Sequence, residues 1–328
     1  MSAIASVRIH ASQFPENIRH DLLKSLRTRH VNHKFHYDSV KQTQQWLALH
    51  QAYSPTRNDA DCVAIYDRGF EAAVAQMKAK TVHIIGLGCG GGQKDTRLLK
   101  LLKARGRKVL YTPCDVSSAM TLVARQAALA VVPDKNCFPF VCDLATAEDL
   151  PDTLFSRRSA LAARLFTFFG MIPNFEPQLI LPKLASLIRK NDRLLFSANL
   201  APGSNYTAGV KKILPQYDNP LTRDWLMTFL LDLGIERNDG KLLFEIGNDP
   251  TGSGLKRIVA GFHFKRRRRI EADGEVFSFR PGNAIQLFFS YRYTPALVGK
   301  MLGRHGLEVC AQWITRSKEE GVFLCRRK

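Results

Sequence analysis

Glycines and aspartates concentrate in three short segments, each of which follows a run of apolar residues. The first segment is GCGGG at residues 88–92, and Asp115 and Asp143 follow the second and third runs. Glycine has no Cβ and lets a ligand approach the backbone, while a carboxylate accepts hydrogen bonds from hydroxyl and amino groups. We interpret the segments as an adenosine site, with Asp115 on the ribose hydroxyls and Asp143 on the adenine amino group. The alternative is that each aspartate caps the helix that follows it.

The spacing of the glycines narrows the class of cofactor. The sequence contains no GxxxxGK[ST] segment, which argues against a P-loop that cradles phosphates. The crowding of Gly88, Gly90, Gly91 and Gly92 also departs from the GxGxxG spacing of sites for pyrophosphate-bearing cofactors. Short GxGxG turns followed by an acidic residue after the second strand are typical of S-adenosylmethionine-dependent methyltransferases, which favours S-adenosyl-L-methionine as the cofactor.

Strands and helices that alternate along the chain must position these segments. Apolar and β-branched runs predict strands at residues 82–87, 108–112, 137–141, 165–169 and 193–200, and a closing hairpin at residues 307–313 and 322–325. Helical spacing of apolar residues predicts helices after the glycine turn and at residues 177–189, 221–233 and 294–305. We therefore expect an α/β fold, with a Rossmann-like class I methyltransferase sheet and a second, α+β substrate-binding domain.

The order of these elements divides the chain of 328 residues into two domains. We expect a cofactor-binding core at residues 75–200 and 286–328. The mostly helical residues 1–74 and the inserted residues 201–285 are then expected to form a substrate-binding lid over the carboxyl ends of the strands, where ligands bind in α/β sheets.

Seven separated segments resemble the histidine Nα-methyltransferase family of ergothioneine biosynthesis, related members of which methylate other amino-acid amines, including prenylated tryptophan. Along the chain they lie at residues 34–38, 52–57, 88–99, 111–117, 170–175, 216–218 and 290–294. Because they occur in order over nearly the whole chain, they are more specific than a single glycine turn. The resemblance implies an N-methyltransferase that acts on the amine of an amino acid or of a small molecule derived from one.

The residues and the resemblance together give two sets of candidate site residues. The cofactor-binding set is Gly88, Cys89, Gly90, Lys94, Asp115, Asp143, Leu144 and Gly170. The substrate-binding set that the resemblance implies is Tyr37, Tyr53, Asn174, Tyr217, Phe288 and Ser290. No catalytic residue is assigned, because the sulfonium is already activated and the enzyme chiefly needs to hold an unprotonated amine at near-attack distance.

Two departures from the family pattern bear on the acceptor. The loop that contains Asn174 is one residue shorter than usual, with Pro173 where the family has glycine. Phe288 stands where histidine-specific members have a glutamate that holds the imidazole. Because phenylalanine cannot accept that hydrogen bond, we expect an acceptor with an apolar or aromatic side chain rather than histidine. A catalytically idle relative that binds the cofactor or a metabolite is the alternative.

The net charge of +19 and the pI of about 9.9 make a nucleic-acid-directed methyltransferase or binding protein a further alternative. The sharpest basic run, residues 265–269, lies in a predicted hairpin that closes through Asp273-Gly274. No recognition-helix, zinc-finger or RNP-type pattern accompanies it. A solvated strand edge, protected by charge against aggregation, is therefore the favoured interpretation.

Other features of the sequence predict where the protein works. It has no run of 18 apolar residues and no apolar leader segment, so we expect a cytoplasmic protein without membrane contact. The sequence does not give the oligomeric state, and a monomer is favoured. Seven cysteines without a CxxC pair predict reduced thiols. The histidines at positions 30, 33 and 36 lack an acid or cysteine to complete a ligand set, so no metal is expected.

Overall fold

The computed structural model describes residues 4–155 and 162–328, and the chain divides into two compact units. Unit 1 comprises Met1–Gln13, Pro55–Leu200 and Tyr293–Lys328, and unit 2 comprises Phe14–Ser54 and Ala201–Arg292. Residues 1–13 and 55–74, expected in the substrate-binding domain, thus belong to unit 1, and residues 286–292, expected in the core, belong to unit 2.

Eleven α-helices and thirteen strands form the regular structure of the described residues. The helices are α1 (Pro15–Thr28), α2 (Val40–Tyr53), α3 (Pro55–Asn58), α4 (Ala60–Gln76), α5 (Gln93–Ala104), α6 (Ser118–Ala128), α7 (Leu150–Leu154), α8 (Pro177–Leu187), α9 (Tyr206–Ile213), α10 (Pro220–Asp232) and α11 (Pro295–Gly303). The strands are β1 (Arg8–Ile9), β2 (Thr81–Leu87), β3 (Lys108–Asp115), β4 (Phe140–Val141), β5 (Ala163–Phe168), β6 (Arg193–Asn199), β7 (Gly240–Asn248), β8 (Lys256–Phe264), β9 (Arg268–Ala272), β10 (Glu275–Phe279), β11 (Ala284–Arg292), β12 (Leu307–Ile314) and β13 (Glu320–Arg327). In the part of the chain that the structure describes, no helix is long and apolar enough to cross a membrane.

Unit 1 is built on an eight-stranded sheet in the order β1-β4-β3-β2-β5-β6-β13-β12. The pairs from β1 to β6 are parallel, and β13 is antiparallel to both β6 and β12. Parallel strands end at a common edge of the sheet, so the segments that follow β2, β3, β4 and β5 meet there. The predicted α/β fold, with its class I methyltransferase sheet and antiparallel end, is confirmed.

The central strands of this sheet are buried because helices cover them. β2 is buried from Val82 to Leu87, and α5 contributes Leu98, Leu99 and Leu102 to the same core at helical spacing. The third predicted strand is shorter than expected: β4 has two residues, and Cys137 forms only an isolated bridge with Tyr111.

Unit 2 contains a three-stranded antiparallel sheet in the order β11-β8-β7, with the separate hairpin β9–β10. β11 pairs with β8 from Ala284 opposite His263 to Arg292 opposite Lys256, with a bulge between Gln286 and Phe288. Residues 286–292, expected in the cofactor-binding core, therefore belong to this smaller sheet. The main sheet resumes at Tyr293, whose N–H donates to the Asn199 carbonyl at 3.0 Å.

The predicted hairpin is confirmed as β9–β10, with Arg268 and Arg269 of the basic run at the start of β9 and residues 265–267 before it, and the charges of the run are not equivalent. Asp273 and Gly274 both have positive φ, at 51° and 78°, as a tight two-residue turn requires. Arg268 forms an ion pair with the fully buried Asp239, whereas its neighbours Arg267 and Arg269 are exposed. Burial raises the pKa of the Asp239 carboxyl, but hydrogen bonds from Arg268 and the Glu236 N–H outweigh this and hold the pKa below its usual range. One cation of the run is thus structural.

We expect Arg268→Ala to lower the urea midpoint of unfolding clearly, because it leaves the Asp239 carboxylate buried beside fewer donors. Arg267→Ala is the matched control, since it removes the same charge from an exposed neighbouring position and should leave the midpoint nearly unchanged. Equal midpoints for the two variants would contradict the structural role of Arg268.

Candidate active site

The glycine turn between β2 and α5 brings its backbone close to neighbouring segments. Gly88 and Gly92 have φ values of 66° and 72°, a conformation that favours glycine. A Cβ on Gly88 would lie 2.5 Å from the Met171 side chain, and one on Gly92 would lie 2.7 Å from the Ala124 Cα. The turn therefore needs glycine at both positions, for backbone conformation and for space.

Asp115, at the end of β3, is bonded directly to this turn. Its Oδ2 accepts the Gly90 N–H at 2.9 Å, and its Oδ1 accepts the Ser117 N–H at 3.0 Å. The Cys89 N–H donates to the Cys114 carbonyl at 3.0 Å, so two adjacent residues of the turn are held by the end of β3. Burial raises the pKa of the Asp115 carboxyl.

The helix-capping alternative does not hold for Asp115, because the side chain of Ser117 caps α6 instead. Asp143 lies two residues beyond Val141, the partner of Asp115 in β4. Its Oδ1 accepts the Ala145 N–H at 2.8 Å, and its N–H donates to Ser12 Oγ at 3.0 Å. Asp143 and the adjacent Leu144 are both buried. The two aspartates thus end neighbouring strands at the same edge of the sheet, as the sequence predicts.

Lys94, in the first turn of α5, lies in an aromatic and acidic setting. Its Nζ is 3.3 Å from Tyr66 Oη, and 4.5 Å and 5.6 Å from the ring centroids of Tyr66 and Phe169. The Tyr66 hydroxyl donates to Glu320 at 2.7 Å. Burial lowers the pKa of Lys94, while Glu320 acts in the opposite direction. The ammonium is therefore positioned by Tyr66 and by the charge of Glu320.

Gly170, directly after Phe169, follows the end of β5. Its N–H donates to Ser197 Oγ at 2.9 Å, its φ is 71°, and no atom lies within 4 Å of the position that a Cβ would take. Open space therefore adjoins the backbone at this point of the sheet edge. Asn174 follows in a 3-10 turn, Ile172–Asn174, whose Pro173 is buried.

Asp95 is a buried residue next to the glycine turn that the sequence analysis did not single out. It is 2% exposed, and it accepts hydrogen bonds from the Tyr111 hydroxyl at 2.8 Å and from the Thr167 hydroxyl at 2.7 Å. A Cβ on Gly86 would lie 2.1 Å from its Oδ2, so the carboxylate fills the space beside that glycine. The signal in the sequence is Gly86 itself, a glycine among the apolar residues Ile84, Ile85 and Leu87 of a strand.

This carboxylate links the three central strands directly below the glycine turn. Tyr111 belongs to β3, Gly86 to β2 and Thr167 to β5. Burial raises the pKa of Asp95 to about 6, although the hydrogen bonds from Thr167 and Tyr111 favour the ionised form. Protonation of Asp95 is therefore expected to occur in the mildly acidic range.

In unit 2, a second group of candidate residues forms what we call the acceptor cluster: Tyr217, Trp225, Phe288, Ser290 and Arg292. The Tyr217 hydroxyl donates to Ser290 Oγ at 2.8 Å and accepts from Arg292 Nη2 at 2.7 Å. The ring of Phe288 lies 6.3 Å from that of Tyr217 and 5.7 Å from that of Trp225. Arg292, which is 5% exposed, was not singled out, although it stands in the same short segment as Ser290.

The two remaining tyrosines lie differently. The ring of Tyr37 is 5.5 Å from Trp225 and 6.1 Å from Trp46, so it adjoins the acceptor cluster through Trp225. Tyr53, the last residue of α2, is 52% exposed. Among the described residues, no group of three or more His, Cys, Asp or Glu side chains could hold a metal ion.

A family model described as histidine-specific methyltransferase, S-adenosylmethionine-dependent, matches residues 18–220, which is more than half of the chain. None of the curated proteins matches the sequence.

Solved structures with a similar fold share little sequence with this chain. An S-adenosylmethionine-dependent methyltransferase from Clostridium acetobutylicum ATCC 824 is 11% identical and has a TM-score of 0.46; the match covers 87% of this chain and 98% of that chain. For the magnesium protoporphyrin IX methyltransferase from Synechocystis PCC 6803 the identity is 13%, the TM-score 0.41 and the coverage 96% and 100%. A glycopeptide N-methyltransferase is 13% identical and has a TM-score of 0.40; the match covers 80% of this chain and 94% of that chain.

We expect Asp95→Asn to change how stability depends on pH. The folded chain holds a proton on Asp95 up to about pH 6, whereas the unfolded chain releases it near the ordinary pKa of 3.8. The free energy of unfolding should therefore fall as the pH rises between these values, by about 3 kcal/mol for a shift of roughly two pKa units. Asp95→Asn should remove this slope.

Urea unfolding from pH 4 to pH 8 measures this dependence. Asp152→Asn, at an exposed position, is the matched control and should follow the wild type. Parallel curves for wild type and Asp95→Asn would show that Asp95 does not titrate in this range.

Proposed function

The chain belongs to the histidine-specific, S-adenosylmethionine-dependent methyltransferase family, and on that premise we propose that it methylates the amine of an amino acid, or of a small molecule derived from one, other than histidine. The observation that carries this proposal is the acceptor cluster, in which Phe288 lies beside the hydrogen-bonded Tyr217 and Ser290. Such a cluster suits an acceptor that has a polar head group and an apolar side chain.

The residues of unit 1 fit the cofactor. S-adenosylmethionine supplies an electrophilic methyl group when bound. Gly88 carries no side chain, and the atoms nearest to the position that its Cβ would take belong to the flexible side chain of Met171. In this proposal Asp115 and Asp143 accept from its ribose and adenine, and Lys94 pairs with its carboxylate. The open space beside Gly170 leaves room for part of the cofactor at the end of β5.

The hydrogen-bonded chain in the acceptor cluster supports recognition of a carboxylate. Arg292 donates to Tyr217, which in turn donates to Ser290, so the hydrogen of the Ser290 hydroxyl points elsewhere. A nearby guanidinium favours an anion, and a fixed hydroxyl donor orients it. In an amino-acid acceptor the carboxylate and the amine are attached to the same carbon atom. A site that binds the carboxylate would therefore also position the amine.

Phe288 supports the choice of side chain. It is 6% exposed and packs among aromatic rings, so it offers no hydrogen-bond acceptor to an imidazole. A polar side-chain atom that lies against the Phe288 ring would lose its hydration and gain no hydrogen bond from that ring. An apolar or aromatic side chain would gain contact area instead.

Calorimetric titration of S-adenosylmethionine and S-adenosylhomocysteine tests the cofactor site. We expect both to bind the wild type, and Asp115→Ala to weaken binding by about tenfold or more, because it removes an acceptor of the ribose and the bond to the Gly90 N–H. Asp152→Ala, at an exposed position, should bind as the wild type does. Equal affinities in wild type and Asp115→Ala would contradict the placement of the cofactor.

Mass spectrometry of an amino-acid panel, with a gain of one methyl group as the signal, tests the acceptor. We expect the wild type to methylate aromatic or aliphatic amino acids in preference to histidine, and Phe288→Glu to raise the activity on histidine, because a carboxylate can accept from the imidazole. Phe277→Glu, a partly buried position on β10, is the control for the effect of the new charge. A wild type that prefers histidine would contradict the proposal.

The exposed basic run leaves a nucleic-acid acceptor as the second candidate. Lys265, Arg266, Arg267 and Arg269 are exposed. Methylation of an oligonucleotide, with an affinity that falls steeply as salt rises, would favour this candidate over the amino acid.

A further inference from the structure

The imidazole of His33 has buried polar atoms that the described part of the protein leaves without a hydrogen bond. Both Nδ1 and Nε2 are buried and lack a partner there, although the side chain as a whole is partly exposed. His36, at the other end of the same 3-10 turn, His33–His36, is held by a hydrogen bond of 2.6 Å between its Nε2 and the Leu287 carbonyl. The two histidines thus have different surroundings within one turn.

His33 lies at the edge of β11, beside the acceptor cluster. The Val31 N–H donates to the Gln286 carbonyl at 2.9 Å, so this segment runs along the strand. The His33 ring is 5.2 Å from the ring of Phe288 and 4.6 Å from that of Phe289. Successive side chains of a strand point to opposite faces, so a ring that contacts both must sit at the strand edge.

At this position the His33 imidazole adjoins a group of aromatic side chains. Phe288 also contacts the rings of Tyr217 and Trp225. The Arg257 guanidinium lies 5.0 Å from the centroid of the Phe289 ring. The cluster therefore offers flat apolar surfaces, with the imidazole of His33 at their border.

His33 is neutral at neutral pH. Burial lowers its pKa to about 3, and the charges of His36 and Arg257 act in the same direction. A neutral imidazole has one nitrogen that donates and one that accepts a hydrogen bond. It can therefore bind a neutral N–H or O–H group, and it offers no negative charge to a cationic side chain.

Buried polar atoms without partners destabilise a folded protein, so each such group requires an explanation. A water or a ligand atom that completes the hydrogen bonds is the usual one. Beside the proposed acceptor site, a hydrogen bond from a ligand atom to the imidazole would also contribute to specificity. The unpaired nitrogen is then satisfied only when an acceptor with the right polar group is bound.

We propose that His33 determines acceptor specificity by hydrogen bonding to a polar atom on a flat acceptor side chain. The favoured acceptors are then amino acids whose aromatic ring carries one neutral N–H or O–H, such as an indole or a phenol. This inference rests on the proposed function, since it assigns a role to His33 in the same acceptor site. Phe288 packs against the ring of the acceptor, and His33 supplies the directional contact.

The test compares His33→Leu with the wild type on tryptophan, tyrosine and phenylalanine. We expect the wild type to have a higher kcat/KM for tryptophan or tyrosine than for phenylalanine. His33→Leu should lower kcat/KM for the preferred acceptor by about tenfold, mainly through KM, and should change that for phenylalanine by less than about twofold.

Thermal unfolding separates this role from a structural one. His33→Leu should unfold at the same temperature as the wild type or higher, because it buries no polar atom without a partner. His36→Leu is the matched control within the same turn and should unfold at a lower temperature, because it loses the bond to the Leu287 carbonyl.

Each outcome decides between the two proposals. If the wild type methylates amino acids but His33→Leu leaves the tryptophan-to-phenylalanine and tyrosine-to-phenylalanine ratios unchanged, the role of His33 is wrong and the proposed function stands. If His33→Leu is destabilised as much as His36→Leu, His33 is structural. If the wild type binds S-adenosylhomocysteine but neither binds nor methylates any amino acid, the proposed function is wrong, and the role of His33 falls with it.

Discussion

The buried carboxylate of Asp95 is the constraint on which the glycine turn depends. It occupies the space that a side chain at position 86 would need, and its hydrogen bonds reach Tyr111 and Thr167 on the two strands that flank β2. Asp115 holds the same turn from the end of β3 through Gly90. The turn is thus fixed by two buried carboxylates.

The glycine turn and the acidic residues at the strand ends could be predicted from the sequence because their signals are local. An apolar run, a glycine turn and an acidic residue after the next run lie within short windows, and the order of the strands places them at one edge. Asp95 could not be found in this way. An acidic residue in the first turn of a helix is common for electrostatic reasons, and only the tertiary structure shows that its carboxylate fills the space beside Gly86.

The acceptor side was harder to predict because its contacts are between distant segments. The apolar run that became β11 would suit either sheet, and its partner is decided by pairing with β8, not by its own composition. Phe288 and Ser290 were identified through resemblance alone. Arg292 and His33 stood next to identified residues, but their roles depend on Tyr217 and on the edge of β11, which no local pattern reveals.

The departures from the family pattern fall at Phe288 and in the shortened loop at Pro173, whereas the glycine turn and its acidic partner are intact. Methyl transfer from an activated sulfonium needs the two reactants held at the right distance more than it needs a dedicated acid or base. A change of acceptor therefore requires new contacts to the acceptor and no new chemistry. In the proposed function, the side chains around β11 therefore select the acceptor, while those around the glycine turn hold the cofactor.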